Sequence, residues 1–544
     1  MTNQRSQDSS PKDISRRSML KTAAMGALAA GGGLALNMAA PGTAEAAATV
    51  PDKWDMEADV VIAGFGGAGA CAALEAAKQG ASVLLLDKAQ VPGGSTRLSG
   101  GIVYAAGTKL QKQTGIDDTP EAMFKYVMAC GQGRAVPELV RVAAERSADN
   151  VTWLEGLGAV FPAELLAMSG MEAEPEYAAV TPPTKRGHRV KGTGAALFEV
   201  LSNAVKAQKN IKVLQATTVT RPITRPATVN SRCEVLGVKA LRGRREISIR
   251  AHRAVVLSTG GIIPGAESLA WLKDYSPDIA LCVPAAALSS TGDGYRIGVY
   301  CGAALKGLNT AGYLPSVLFP GDSMAGIVYV NIWGLPNIYV TGEGNRFCDE
   351  SSYYVLVSEQ MIAKKATTAY CIFDAETVKR SFDLVPKGIE ITRTIALGLD
   401  TANLDKEVQA GRLWKGNSVA ELARNMGIDA ARLEQTVSAY NANAEQGKDP
   451  AFNRKKGLSS LKTTPYYGLK INVGVVCHDG GLNINPKAQV LDTYNDVIPR
   501  LYAAGRDSVG IFGGRYIGSG GALCDFLTFG RIAGMNAALE KPWS

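Results

Sequence analysis

Two short apolar runs, Val60-Val-Ile-Ala63 and Val83-Leu-Leu-Leu86, flank an alanine-rich stretch of helical character. Together they predict a β-α-β unit over residues 59–87. Helical patterns follow around 119–131 and 136–156, then a polar, proline-bearing stretch over 162–193 that reads as a surface excursion containing His188. A strand is expected around 211–216, with short β segments to about 250 and a hairpin tip at Arg242-Gly-Arg-Arg245. A further strand runs through Ala254-Val-Val-Leu and ends in Ser-Thr-Gly-Gly261. From about 303 to 459 the pattern is mixed helical and irregular, as expected of an inserted second unit. The chain then returns to a strand, Leu501-Tyr-Ala-Ala-Gly505, and to a helix over 521–539.

Between the first apolar run and its helix lies Gly64-Phe-Gly-Gly-Ala-Gly69, and each glycine has its own task. Gly64 permits the tight strand-to-helix turn, Gly66 lets a pyrophosphate approach the backbone, and Gly69 lets helix and strand pack closely. The phosphates are then expected at a helix N-terminus, where free N–H groups and the dipole favour negative charge. Asp87, closing the second strand, is placed to accept hydrogen bonds from a ribose hydroxyl. Strand, helix, second strand and acid in this order predict a dinucleotide site. The loop Val91-Pro-Gly-Gly-Ser-Thr-Arg-Leu-Ser-Gly-Gly101 and the glycines after Ser258 can bring further backbone N–H groups to the same ligand. The glycine-rich start of the last helix offers a second N-terminus.

Composition and charge change this picture only at its margins. A chain of 544 residues exceeds one core, so two or three units are expected, and 46% hydrophobic with 20% charged residues is ordinary for a soluble globular protein. The net charge of +8 has no dense Lys/Arg stripe with interleaved aromatics behind it, so no nucleic-acid partner is expected. Residues 1–48 read as an address. Ser15-Arg16-Arg17-Ser18-Met19-Leu20-Lys21, a soft Ala/Gly-rich stretch and Ala44-Glu-Ala-Ala-Ala48 resemble a twin-arginine export signal cleaved near Ala46 or Ala48. Its four glycines and few branched residues suit a membrane anchor poorly. The expected location is the periplasm or cell surface, with no stable membrane anchor after cleavage. The nine cysteines include no CxxC, and there are only three histidines, so no disulfide framework, haem or metal site is expected. His188 reads as a hydrogen-bonded loop histidine rather than a catalyst.

With these residues on view, the chain resembles the FAD-dependent fumarate reductase / 3-ketosteroid dehydrogenase superfamily over essentially all of residues 56–540. The motifs that carry the resemblance are DVVIAGFGGAG…LLLD, PGGSTRLSGG, AVVLSTGG, GEGNRFCDES, LYAAG and DFLTFGRIAG, in that order. The resemblance implies an α/β fold: a discontinuous Rossmann-like FAD-binding domain (49–302 and 460–544) with an inserted α+β capping domain (303–459). It implies FAD contacts at Gly64, Gly66, Gly67, Ala68, Gly69, Asp87, Lys88, Gly94, Ser95, Thr96, Ser99, Gly100, Gly101, Gly260, Gly505, Asp507, Gly521, Ala522 and Leu523. Members that attach FAD covalently carry a His in the loop that here reads Gly93-Gly-Ser-Thr-Arg97, so FAD is expected to be noncovalent.

Within the superfamily, fumarate reductases place a proton-donating arginine where this chain has Tyr354. The histidine of their dicarboxylate clamp corresponds to Ala287. A buried dicarboxylate without cationic partners is uncompensated, which argues against fumarate. The run 513–530 instead matches the ketosteroid dehydrogenase pattern without a gap, closest to the Δ1 or Δ4-(5α) branch. The resemblance places Tyr354 on the catalytic base and Tyr516 and the Gly520 N–H on the donors that hold the ketone oxygen. The chemistry requires such groups: a C–H bond leaves as hydride readily only beside a forming enolate, so a ketone must be polarised while a base takes the α-proton. FAD then accepts the β-hydride. A tyrosine base needs a lowered pKa or a relay, for which Tyr104 and Tyr353 are candidates. Arg515 and Asp525 depart from the steroid pattern; a charge beside Tyr516 suits either a substrate carboxylate or a salt bridge. The expected substrate is a cyclic ketone or enone, with an external electron donor or acceptor such as a quinone or cytochrome. Two alternatives stand beside this: an exported ene reductase fed by a quinol or cytochrome, and a noncatalytic flavin-binding electron carrier.

Overall fold

In a computed structural model, which describes residues 50–166, 171–227, 233–317, 328–329, 335–383, 404–411 and 413–544, the predicted β-α-β unit is present. It consists of strand β1 (Met56–Ala63), helix α1 (Gly67–Lys78) and strand β2 (Val83–Leu86). The segment expected to be an export signal lies outside the described residues. β1 and β2 are parallel, Val60 opposite Val83 and Ala63 opposite Leu86. Every residue of β2 is buried, which is why the run is continuously apolar rather than alternating: helices and neighbouring segments cover both faces of a parallel strand.

Further along come β3 (Ile211–Leu214), β4 (Glu234–Arg242) and β5 (Arg245–Leu257), with the hairpin tip at Arg242 to Arg245 as expected. They are followed by β6 (Ala311–Val317), α2 (Tyr354–Ala363), β7 (Thr368–Asp374), β8 (Tyr466–His478), β9 (Val497–Ala503) and α3 (Gly521–Leu539). The first sheet runs β9-β5-β1-β2-β3, all parallel, with Gln489–Leu491 antiparallel at its outer edge. Parallel strands bring their carboxyl ends to one side, so Ala63, Leu86, Leu257 and Ala503 open onto one crevice, the usual ligand position in such sheets.

α1 and α3 pack against each other across small residues. A Cβ on Gly534 would stand 2.0 Å from the Ala72 carbonyl oxygen, and one on Gly530 would stand 2.7 Å from that of Ala68. The alanine-rich composition of α1 thus serves close helix–helix approach over the sheet.

The second sheet has β6, β8 and β7 at its centre, antiparallel, with Cys371 opposite Leu469 and Leu314 opposite Gly474. Alternate β8 residues Leu469, Ile471, Val473 and Val475 are fully buried and form its core. This sheet takes β8 and the short strand Val283–Pro284 from outside 303–459, so it reaches past the expected inserted segment at both ends.

The helices expected around 119–131 and 136–156 are Pro120–Gly131 and Pro137–Gly156, each with proline in its first turn. The stretch 162–193 is not wholly a surface excursion. Gly187–Arg189 pairs with Ile102–Tyr104, and His188 is buried, its Nε2 2.8 Å from Thr108 Oγ1 and its Nδ1 2.9 Å from the Arg186 carbonyl oxygen. One charge of this polar stretch is neutralised internally. Arg186, fully buried, donates to both oxygens of Asp118 at 2.8 and 2.7 Å. Among the described residues no helix is long and apolar enough to cross a membrane.

Candidate functional site

A cavity of about 1280 Å³ opens at the carboxyl ends of the parallel strands and extends to the second sheet. That exceeds the usual size of a site for one small molecule, so it has room for a dinucleotide and a substrate together. Gly64, Gly66, Gly67, Ala68, Asp87, Lys88, Gly94, Ser95, Thr96, Ser99, Gly100, Gly260, Gly505, Ala522 and Leu523 all line it. Gly64, at φ +104°, makes the turn possible: a Cβ there would stand 2.2 Å from the Ser258 carbonyl oxygen. Gly94, at φ +47°, lines the cavity with open space beside its Cα.

The carboxylate of Asp87 accepts from the N–H groups of Phe65 and Ala89, each at 2.7 Å. These bonds aim it into the cavity and leave further lone pairs for a ribose, while burial pushes its pKa up. Lys88 donates to Thr291 Oγ1 at 2.5 Å and Asp293 Oδ2 at 3.0 Å, closing one wall.

Four expected contacts are placed elsewhere. Gly69 packs on the Gly64 carbonyl, Gly101 on Thr193, and Gly521 on Ile517 and Phe512. Asp507 is buried and accepts from the N–H groups of Thr259 and Gly261, so it ties the end of β5 to the segment after β9 instead of lining the cavity.

The three residues expected to do chemistry all line the same cavity. Tyr354 opens α2, and the segment leading into it is anchored by Glu350. This buried carboxylate accepts from Arg346 at 2.9 and 2.8 Å and from Arg454 at 2.9 Å, so the GNRFCDE run positions a helix start. The Tyr354 hydroxyl lies 3.2 Å from Ser519 Oγ, and the Tyr353 ring lies 4.1 Å from the Tyr354 ring. Tyr516 stacks on Phe512 at 5.5 Å. Burial above all, then Cys477 and Tyr354, holds its hydroxyl well above the ordinary tyrosine pKa, so it remains a proton-bearing donor. Gly520, at φ +101°, precedes α3 and lines the cavity beside Tyr516.

Of the two relay candidates, Tyr353 lines the cavity, whereas Tyr104 is buried and donates to Glu172 at 3.1 Å. Arg515 forms salt bridges with Glu359 and Glu176, which answers the question its charge raised.

Sequence reasoning missed Ser519, Cys477 and Arg506, all of which line the cavity. Arg506 directly follows the LYAAG motif, which is the one local signal that could have found it. Its guanidinium lies 4.3 Å over Phe512 and donates to Asp479 at 3.2 Å, while Cys477 Sγ lies 3.1 Å from the same carboxylate.

Three carboxyls around this point carry raised pKa values because of burial: Asp479 and Asp507 to about 6, and Asp525 to about 7. An unfolded aspartate titrates near 3.9, so the folded state holds these protons more tightly. Their contribution to stability is complete below about pH 4 and is lost as pH rises through 6 to 7. The thermal midpoint is therefore expected to fall between about pH 4 and pH 7 and to level off above that, and Asp525→Asn to flatten that dependence in a pH series of melting curves.

Comparison with known proteins places this geometry in context. The FAD binding domain family model matches residues 59–523. A probable fumarate reductase of Shewanella frigidimarina is 31% identical over 88% of this chain and 74% of its own length. A urocanate reductase of Eggerthella lenta is 30% identical over 90% of this chain and 76% of its own. Among solved structures, the 3-ketosteroid-Δ4-(5α)-dehydrogenase of Rhodococcus jostii in complex with 4-androstene-3,17-dione superposes with a TM-score of 0.70 and 28% identity. It covers 90% of this chain and 99% of its own.

Proposed function

We infer that this chain, which belongs to the FAD binding domain family and is a flavin oxidoreductase acting on carbon–carbon double bonds, makes or removes such a bond next to the ketone of a cyclic, steroid-like substrate. The observation that carries this reading is that Tyr354, Tyr516 and Gly520 line the same cavity as the dinucleotide cradle. The cradle fits FAD: β1, α1 and Asp87 suit its ADP half, and Gly94, Ser95 and Thr96 border the space beyond. When bound, FAD supplies the two-electron acceptor or donor.

The protein's own residues do the rest. Tyr516 and the Gly520 N–H hold a ketone oxygen and strengthen their hold as negative charge grows on it. Tyr354 takes, or returns, the proton of the neighbouring carbon, and Ser519 at 3.2 Å offers that proton a next position. Leu314, Val476 and Leu523 add apolar side chains to the cavity that a ring substrate can contact.

Ala287 stands where a dicarboxylate clamp would carry its histidine, which disfavours fumarate as substrate, while Arg189, Lys456 and Arg506 line the same cavity. The steroid enone bound by the Rhodococcus jostii protein supports the substrate class. The fumarate and urocanate reductases among the relatives support a second reading, an ene reductase working toward saturation with electrons from a quinol or cytochrome. Dye-coupled oxidation of saturated cyclic 3-ketones, run beside anaerobic enone reduction by pre-reduced protein, separates the two. Faster oxidation supports the dehydrogenase, and faster reduction supports the reductase.

The Arg16-Arg17 segment supports export by the twin-arginine route to the periplasm or cell surface, where such an electron partner would be met. Replacing both arginines by lysine is expected to leave the protein in the cytoplasm in a cell-fractionation assay. Unchanged export would argue against this route.

A further inference from the structure

Arg515 sits directly before Tyr516, and its side chain, 15% exposed, reaches two other parts of the fold. Nε and Nη2 take the two oxygens of Glu359, each at 2.9 Å, in a bidentate fork. Nη1 donates to Glu176 at 2.8 Å and to the Tyr177 hydroxyl at 2.5 Å. Glu359 lies on α2, the helix that begins with Tyr354. The backbone N–H of Arg515 donates to the Cys130 carbonyl at 2.9 Å, and the Tyr126 hydroxyl donates to the Ile517 carbonyl at 3.0 Å. One side chain therefore joins the loop that carries Tyr516 and Gly520 to the helix that carries Tyr354. It does so on the wall of a surface cleft of about 570 Å³, and Glu174 lines both this cleft and the main cavity.

We propose that Arg515 is a positioning residue: through Glu359 it rivets α2 to the 513–520 loop and so fixes the separation at which Tyr354 and Tyr516 reach one substrate. The proposal rests on the functional reading above. An isolated exposed ion pair contributes little, but this fork is largely shielded and geometrically constrained at one of its ends by three partners. Its effect lies in geometry, because a displacement of about 1 Å between catalytic groups can lower a rate about a hundredfold. Arg515 touches neither substrate nor cofactor space, since it does not line the main cavity.

The test compares the FAD-loaded wild type with Arg515→Gln, Glu359→Gln, the double variant and Arg515→Lys. The readouts are kcat and KM on the best cyclic ketone or enone, bound FAD, and hydrogen–deuterium exchange over 354–363. Each Gln variant is expected to lower kcat about tenfold to a hundredfold with FAD content unchanged and faster exchange over 354–363. The double variant should be no worse than Arg515→Gln alone, because the contact to Glu359 is already broken in that variant. Arg515→Lys, which keeps charge but not the fork, should fall between wild type and Arg515→Gln.

Unchanged kcat in both Gln variants, additive losses in the double variant, or losses that merely track lost FAD would overturn the proposal. Should Arg515→Gln fail to fold, Glu359→Gln carries the same comparison. Exchange needs no substrate, so the failure of this proposal differs from the failure of the functional reading. Faster exchange in the variants of a wild type inactive on every cyclic ketone and enone sinks the reading alone. Active wild type with unaltered variants sinks the rivet alone.

Discussion

Tyr354→Phe is expected to lower kcat by about 10²–10⁴-fold while bound FAD and the thermal midpoint stay near wild type. The ring lies in a buried position against Tyr353, and phenylalanine keeps that packing while removing only the hydroxyl. The lost group is the one that stands 3.2 Å from Ser519 and faces the cavity, so the change strikes proton transfer and not folding. KM is expected to move little, because a base acts on the reacting bond more than on the resting substrate. Steady-state kinetics of flavin-loaded protein, normalised to FAD absorbance, checks this. A Tyr354→Phe variant with wild-type kcat on every substrate turned over would remove Tyr354 from the site.

Tyr516→Phe is expected to cost about 10²–10³-fold in kcat, the usual loss when one donor to a developing oxyanion is removed. Phe512 stacks on the ring at 5.5 Å and stays matched by phenylalanine, so the cavity keeps its shape. The burial that holds the Tyr516 hydroxyl well above its ordinary pKa also keeps it a donor across the neutral range. The loss should therefore be nearly independent of pH between 6 and 9, and a pH–rate profile of both proteins checks it. A loss that vanished at one end of that range would mean the hydroxyl acts as a titrating base instead.

Much of this site could be read in advance where local chemistry dictates it. The β1-α1-β2 unit was legible because its signals are short-range: buried parallel strands are continuously apolar, and a glycine turn joins strand to helix. Tyr354 and Tyr516 were reached through motif resemblance, since residues 162 positions apart carry no local mark of meeting. The rest was set by tertiary pairing. The inward turn of His188 depends on Arg186 finding Asp118, and nothing near residue 186 announces that partner. The resemblance implied a ligand contact at Asp507, yet its carboxylate accepts three hydrogen bonds from Thr259 and Gly261, just past the end of a different strand. Arg506, its neighbour, has the side chain that reaches the cavity. The second sheet gathers Val283–Pro284 and β8 from beyond the irregular middle stretch, because register between distant strands follows burial that a one-dimensional pattern does not encode.

The proposed substrate carries its C=C bond beside a ring ketone and is not a dicarboxylate. This is tested most directly by mixing pre-reduced, FAD-loaded protein anaerobically with a 3-ketosteroid enone or with fumarate, and following flavin reoxidation in each case. Reoxidation by the cyclic enone is expected, slowed at least a hundredfold in Tyr516→Phe, with none above background by fumarate. Rapid reoxidation by fumarate with no response to any cyclic enone would contradict this substrate assignment.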